Sequence, residues 1–328
     1  MSSAAGEDPW GGRPEDSRTA VAFKRDALAQ RDERSGGFII VAVLWILGAL
    51  ATLAVIYSVY ARQTALQFVD HDERLQAQAL AVSGVELAAY RILSFGNNRP
   101  SLGRFSFRQG TAVIDVAFSS ENSRIDLNFG PKELIAGLFV GLGASPEDAA
   151  AFANRVDAWR TPLGPGAADT EAALYQGAGK SYGPRHGPFQ HVNELTMVLG
   201  MPTWLIERAL PYFTIYSGQR AVDVLSASPQ VLAAVPGMTP DLMRSLPAQG
   251  SEAQIGAWRA QFGYAASFLT MGPSSADHVD VDVRFTSQRH IRSDAVILVL
   301  DRDLEPYRVL SWNDEEIAVG QRAGASPQ

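Results

Sequence analysis

Five histidines, His71, His186, His191, His278 and His290, are the residues in this sequence best suited to proton transfer or metal binding. An imidazole acts as a base or a ligand when a second donor sits at the right spacing. The patterns H-x-x-x-H and H-E-x-x-H put two such donors on one helical face. No histidine pair here has that spacing; His186 and His191 flank Gly187-Pro188, a loop pattern. Cysteine is absent, which removes disulfides, thiolate metal centres and cysteine nucleophiles. No G-x-S-x-G, P-loop or glycine-rich dinucleotide pattern stands in a β-α context. Arg155, Trp159 and Arg160 fit an amphipathic helix with a buried aromatic. No residue requires a catalytic role, and the expectation is a protein that is not an enzyme.

The elements that carry these residues begin with an apolar run. Phe38 to Ala61 holds no charged residue. As a helix it would be about 36 Å long, enough for a hydrocarbon core of about 30 Å. It is too long for the apolar part of a signal peptide, and no A-x-A site follows directly after it. Residues 1–37 are rich in Gly, Pro, Ser, Asp and Arg and lack an apolar period, which predicts a disordered leader. Lys24, Arg25, Arg31 and Arg34 precede the run, against Arg62 and Arg74 after it. That bias places the N-terminus in the cytoplasm and the globular part outside the membrane. The chain has 328 residues, 46% of them hydrophobic, and a net charge of −7. This is enough for about two domains, and the acidic balance argues against nucleic acid as the main partner.

The helical pattern continues beyond the apolar run. Gln63 to Leu93 contains no proline, and Leu75, Ala79, Val82, Ala89 and Leu93 recur near the helical period; Gly96-Asn97-Asn98 marks the end. Arg104 to Ser119 then reads as a β-hairpin turning at Gln109-Gly110. From about Ile125 to Leu269 many short helices are expected. β character returns where Val279, Val281, Val283 and Phe285 alternate with Asp280, Asp282 and Arg284, and again at Ala295 to Leu300 and Tyr307 to Trp312. A sheet of the last three strands alone would be small, so the early hairpin is expected to complete it. Inside the helical block, Ile125-Asp126-Leu127-Asn128 before Pro131 is echoed by Val222-Asp223-Val224-Leu225 before Ser228-Pro229. Each copy is a short extended segment followed by a helix start with Pro in the first turn. With the turns Leu199-Gly200-Met201 and Val235-Pro236-Gly237-Met238, these segments look like helix-hairpin-helix units.

The polar residues up to Ser35, the junction Gly37-Phe38 and one long half-apolar, half-amphipathic helix together resemble the type IV prepilin-like proteins. The resemblance implies cleavage by a prepilin peptidase after Gly37, with Phe38 as a methylated mature N-terminus. It also implies a fifth mature residue at Ala42, where most of the family carries glutamate. In the family that glutamate is thought to pair with the amine of a neighbouring subunit, and its loss is typical of pseudopilin K. Three further elements occur in that family's order: Ser83-Gly84-Val85-Glu86-Leu87, Asp126-Leu127-Asn128, and the pair Pro188 to Met201 and Val222 to Met238. The sequence is therefore identified as similar to minor pseudopilin K of type II secretion systems. The resemblance implies an α+β fold, with a long N-terminal helix on an antiparallel, pilin-like sheet and an inserted all-α, helix-hairpin-helix-like domain.

The expected organisation is a cleaved leader at 1–37, a transmembrane helix at 38–61 and helix plus first strands at 62–126. The inserted domain follows at 127–270, closing strands at 271–314 and a flexible tail at 315–328. The family implies minor pseudopilins I and J as partners, residence in the bacterial inner membrane with the globular part periplasmic, and a place at the pseudopilus tip. It also suggests calcium in the loop 157–175, with Asp157, Asp169 and Glu171 as ligands, although Arg160 and Thr161 stand where the family tends to place acidic residues. The rival functions are a membrane-tethered DNA-binding protein of the competence type and an anchored hydrolase built around the acidic loop.

Overall fold

In the computed structural model the described residues are 19–246, 260–287, 290–300 and 305–317. The expectations for residues 1–18 and 318–328 fall outside them. The first helix, α1 (Thr19–Ser94), begins well before Phe38. The stretch Thr19 to Ser35 contains neither Pro nor Gly and is rich in Ala, Leu, Lys, Arg and Gln, the strong helix formers. The composition of the whole leader, dominated by its Gly- and Pro-rich first part, conceals this. Two compact units divide the chain, Met1–Arg74 and Leu75–Gln328. In the first, Phe38–Ala61 has a mean hydropathy of 2.8 and is apolar on every side, with none of it buried against protein.

After α1 the second unit runs through β1 (Leu102–Gln109), β2 (Ala112–Ser120), β3 (Ile125–Asp126), α2 (Lys132–Gly141), α3 (Pro146–Arg160) and α4 (Thr170–Gly177). Then come α5 (Thr203–Ala209), β4 (Phe213–Thr214), β5 (Val222–Asp223), α6 (Pro229–Ala233), α7 (Pro240–Arg244) and β6 (Leu269–Thr270). β7 (Ala276–Phe285), β8 (His290–Val299) and β9 (Tyr307–Ile317) close the order. β9 extends into residues expected to form the tail.

Five strands make one antiparallel sheet in the order β1-β2-β7-β8-β9, so the early hairpin does complete it. Alternation decides its faces. Ile114, Val116 and Phe118 of β2 and Val279, Val281 and Val283 of β7 bury one side, where Ala77, Ala81, Val85, Ala88 and Ile92 of α1 cover them. Small residues bring α1 close to the sheet: a Cβ on Gly84 would lie 2.7 Å from Val281 Cγ1. The other side carries the charges, with Asp280 and Asp282 of β7 paired to Arg292 and His290 of β8. β8 and β9 shift register between Val296 and Ile297.

β2 and β7 are neighbours in the sheet, so everything between them is an insertion with its own core, from Ile125 to Leu269. Among its described residues the regular structure of the insertion is helical apart from two short parallel pairs, β3 with β4 and β5 with β6. These pairs explain the echo in the sequence. Asp126 accepts from the N–H groups of Asn128 (2.7 Å), Phe129 (3.2 Å) and Gly218 (2.8 Å) and from Ser217 Oγ (3.0 Å). Asp223 accepts from Leu225 N (3.3 Å), Gly272 N (3.1 Å) and Ser226 Oγ (2.6 Å). In each copy one carboxylate ties the turn after a short strand to a glycine that follows the partner strand. Both carboxylates are fully enclosed, and burial pushes Asp126 above its ordinary carboxyl value against those bonds. The helix starts follow the expected chemistry: Ser145 and Ser228 cap α3 and α6, each with Pro as the first helical residue.

Close approach of α2 to the end of α6 sets a strict requirement. A Cβ on Gly137 would lie 2.0 Å from the carbonyl oxygen of Ala234, which is backbone and cannot swing aside. Gly141, one turn on in the same helix, has nothing within 4 Å. Gly137→Ala should therefore destabilise the protein by about 1–3 kcal/mol, as overpacking does. Gly141→Ala should be neutral or stabilising by up to about 1 kcal/mol through helix propensity. Thermal denaturation of the two variants side by side measures the difference.

Candidate functional site

Gly37 and Phe38 lie on consecutive residues of α1, and Phe38 opens the apolar stretch with its ring 77% exposed. Ala42 lies a turn further along the same stretch. The unbroken apolar surface from Phe38 to Tyr60 is what a membrane span or a bundle of similar helices requires. In the second unit α1 turns its small residues to the sheet and leaves Val82 and Tyr90 outward, with Tyr90 70% exposed.

The acidic loop is arranged differently from a cation site. Asp157 Oδ1 accepts two hydrogen bonds from Arg160, from Nη2 at 2.8 Å and Nε at 3.1 Å, while Arg160 Nη1 holds the carbonyl of Leu127 at 2.6 Å. Asp169 caps α4 through Ala172 N (2.8 Å), and its other oxygen meets His186 Nε2 at 2.8 Å. The Ala172 N–H, with His186 beside it, holds the Asp169 carboxyl below its usual range. Glu171 contributes one enclosed oxygen without a hydrogen-bond partner. Calcium takes six to eight oxygens, and here two of the three carboxylates already face side-chain donors of the protein itself, a guanidinium and an imidazole. The residues present do not fit a calcium ion.

The two helix-hairpin-helix turns are glycine turns as expected, with φ of 76° at Gly200 and 81° at Gly237. The cations beside them are engaged. Arg155 Nη1 donates to the carbonyl of Leu199 at 2.6 Å, Arg208 lies 5.5 Å from the centre of the Trp204 ring, and Arg244 pairs with Asp241. Backbone phosphates require several cations free to meet them. These turns pack helices instead.

A charged cluster that spacing rules do not reveal lies on the open face of the sheet. His278 of β7 is enclosed; its Nε2 is 2.8 Å from Asp294 Oδ2 and 3.6 Å from Asp280 Oδ2, and its Nδ1 is 3.5 Å from Glu121 Oε1. Burial alone would push the imidazole down, but the Asp294 and Glu121 carboxylates override it and raise its pKa to about 9. Glu121 is itself inaccessible, and His278 with Arg124 keeps its carboxyl below the ordinary value despite burial. A cavity of about 450 Å³ opens beside the cluster, lined among others by Arg124, Tyr216, His278, Asp294 and Trp312. The sequence signal was H-x-D on one strand with an Asp on the next, visible only once register is known.

Comparison with known proteins bears on the inserted domain. Residues 122–218 match the family model described as type II secretion system (T2SS), protein K. The matched segment makes up 97 of the chain's 328 residues. The match starts just after β2 and takes in the first of the two Asp-tied strand pairs. No curated protein matches the chain. Among solved structures, the chain is similar to one in the crystal structure of the GspK-GspI-GspJ complex from the type 2 secretion system of enterotoxigenic Escherichia coli. The TM-score is 0.60 at 16% identity, over 76% of this chain and 100% of that one. At that identity the likeness is one of fold, and it extends well beyond residues 122–218.

Because Arg160 and His186 already sit on the loop carboxylates, added calcium should not stabilise the protein. In chelator-treated full-length chain, about 5 mM Ca²⁺, which would saturate even weak extracellular calcium modules, should move the thermal midpoint by less than about 1 °C. Arg160→Ala should lower the midpoint by leaving the Leu127 carbonyl and Asp157 without their donor. A calcium-dependent rise of several degrees in the unaltered chain would contradict this account.

Proposed function

We propose that the chain is a minor pseudopilin of a type II secretion system, held in the inner membrane by Phe38–Ala61 with its globular part in the periplasm, and that it works at the tip of the pseudopilus. The observation that carries this reading is a segment similar to type II secretion protein K, inserted between neighbouring strands of a sheet on which a long helix packs. The single helix segment apolar enough to cross a membrane among the described residues lies upstream of that unit, as an extractable filament subunit needs. The similar chain belongs to a complex named for GspK, GspI and GspJ, which supports minor pseudopilins I and J as partners here. The exposed side of α1, with Val82 and Tyr90, is the surface on which their helices would bundle.

A tip position also accounts for Ala42. A carboxylate within an apolar helix needs a partner charge to offset its desolvation, and a terminal subunit has no neighbour beyond it to provide one. The inserted domain adds bulk that a terminal subunit accommodates without a clash above it. Catalysis enters nowhere: the protein acts by assembling.

Intact mass and N-terminal sequencing of the protein from membranes containing a prepilin peptidase test the pathway. The expected product starts at Phe38 and is about 14 mass units heavier for one methyl group. A chain still carrying residues 1–37 would mean an ordinary membrane anchor. Ala42→Glu should place an unpaired carboxylate in the apolar helix, where its desolvation is not offset. It should reduce both complex formation with I and J and secretion; unchanged secretion would count against the tip assignment.

A further inference from the structure

The His278 cluster has the geometry of a metal centre. We propose that His278 Nε2, Asp280 Oδ2 and Asp294 Oδ2 bind a divalent transition-metal ion, zinc by donor type, with Glu121 as the carboxylate behind the histidine. This site is separate from the loop 157–175 and does not depend on the function proposed above.

Strand register brings the donors together. His278 and Asp280 are two apart on β7 and so share a face, while Asp294 is the direct cross-strand partner of Asp280 on β8. Their ligand atoms all lie within 4.8 Å of one another. Four-coordinate zinc holds N and O donors at about 2.0–2.2 Å, which puts neighbouring donors roughly 3.3 Å apart. The Nε2 to carboxylate distances, 2.8 Å to Asp294 and 3.6 Å to Asp280, bracket that value. Seating an ion opens the Asp294 contact by about 0.5 Å and closes the Asp280 contact by about 0.3 Å. Arg292 Nη2 holds the other oxygen of Asp280, Oδ1, at 2.7 Å, which turns Oδ2 toward the histidine.

Glu121 supplies the independent sign. Its side chain is fully enclosed, and its ion-pair partners stand back from it, His278 Nδ1 at 3.5 Å and Arg124 Nη1 at 3.6 Å. A buried carboxylate behind the far nitrogen of a ligating imidazole fixes the tautomer, so that Nδ1–H donates backward and the Nε2 lone pair points at the metal. Asp280 and Asp294 lie directly opposite each other; Arg292 on Asp280 and the proton of His278 beside Asp294 offset their repulsion, and a bound ion takes over the part of that proton. Mixed imidazole and carboxylate donors favour zinc over calcium or magnesium, which take oxygen alone. The cavity beside Asp294 leaves room for water or a further ligand at the remaining position. On binding, the proton shared by His278 and Asp294 leaves to solvent. The ion would tie Glu121, at the start of the inserted domain, to two strands of the sheet.

The test uses the full chain in detergent, stripped with a chelator and titrated with Zn²⁺. One ion per chain with a Kd of about 1 μM or tighter is expected. Asp280→Asn and Asp294→Asn should each weaken binding about tenfold or more, and Glu121→Gln about 10- to 100-fold. Asp241→Asn, at an exposed surface pair, should leave it unchanged. X-ray absorption of the zinc-loaded, unaltered chain should count one imidazole with oxygen donors, a readout that does not depend on any variant folding. Absence of stoichiometric binding up to about 100 μM Zn²⁺ overturns the assignment. So does affinity unaffected by both aspartate variants, or a shell with two or more imidazoles.

Discussion

β2 and β7 pair along their whole length, and the ends that meet belong to residues far apart in the chain. Ser120 and Ser274, 154 positions apart, join their hydroxyls at 3.2 Å, and Ser120 Oγ accepts from Ser274 N at 2.7 Å. Arg99, just beyond α1, reaches across at 3.0 Å to the Ser274 carbonyl and at 2.5 Å to Asp277. Both cores depend on this junction. Without β7 beside β2, the valines of β7 have no place under α1, and the inserted domain loses the fixed ends that close it. Mutually supporting buried polar contacts of this kind are what make a junction rigid.

Much of the fold was legible because it rests on periodicity. Val279, Val281 and Val283 alternate with charges, and a strand buried on one face follows; the hairpin turned where Gly110 allows a positive φ of 59°. The Asp126 and Asp223 echo was visible as a repeated phrase, but its meaning was not. Two residues of strand pairing carry almost no pattern of their own, and the parallel partners Phe213-Thr214 and Leu269-Thr270 lie tens of residues away. The helix over Thr19 to Ser35 was missed because composition averaged over the leader hid a local run of helix formers.

The polar sites were less legible, for a reason that lies in side-chain reach. Asp157 and Asp169 look available in sequence; in space Arg160 and His186 occupy them. The internal cations do the neutralising that an ion would otherwise do, so the loop is held by parts of the chain itself. His278 shows the reverse. It stands alone by every linear spacing rule, and only cross-strand register gives it Asp294, and only the turn after β2 gives it Glu121. Distance along the chain carries no information about either.

The insertion also orders events in time. In order of synthesis β1 and β2 come long before β7, so for the length of the whole helical domain the sheet has an open edge at β2. The entropy of closing a loop grows only as the logarithm of its length, but an unfolded loop of this size would still keep the strand ends well apart. The inserted domain has its own core, and once folded it presents its two ends side by side. The domain thereby acts as an internal chaperone for the sheet: its own collapse delivers β7 to the waiting edge and shortens the interval in which that edge could pair with another chain.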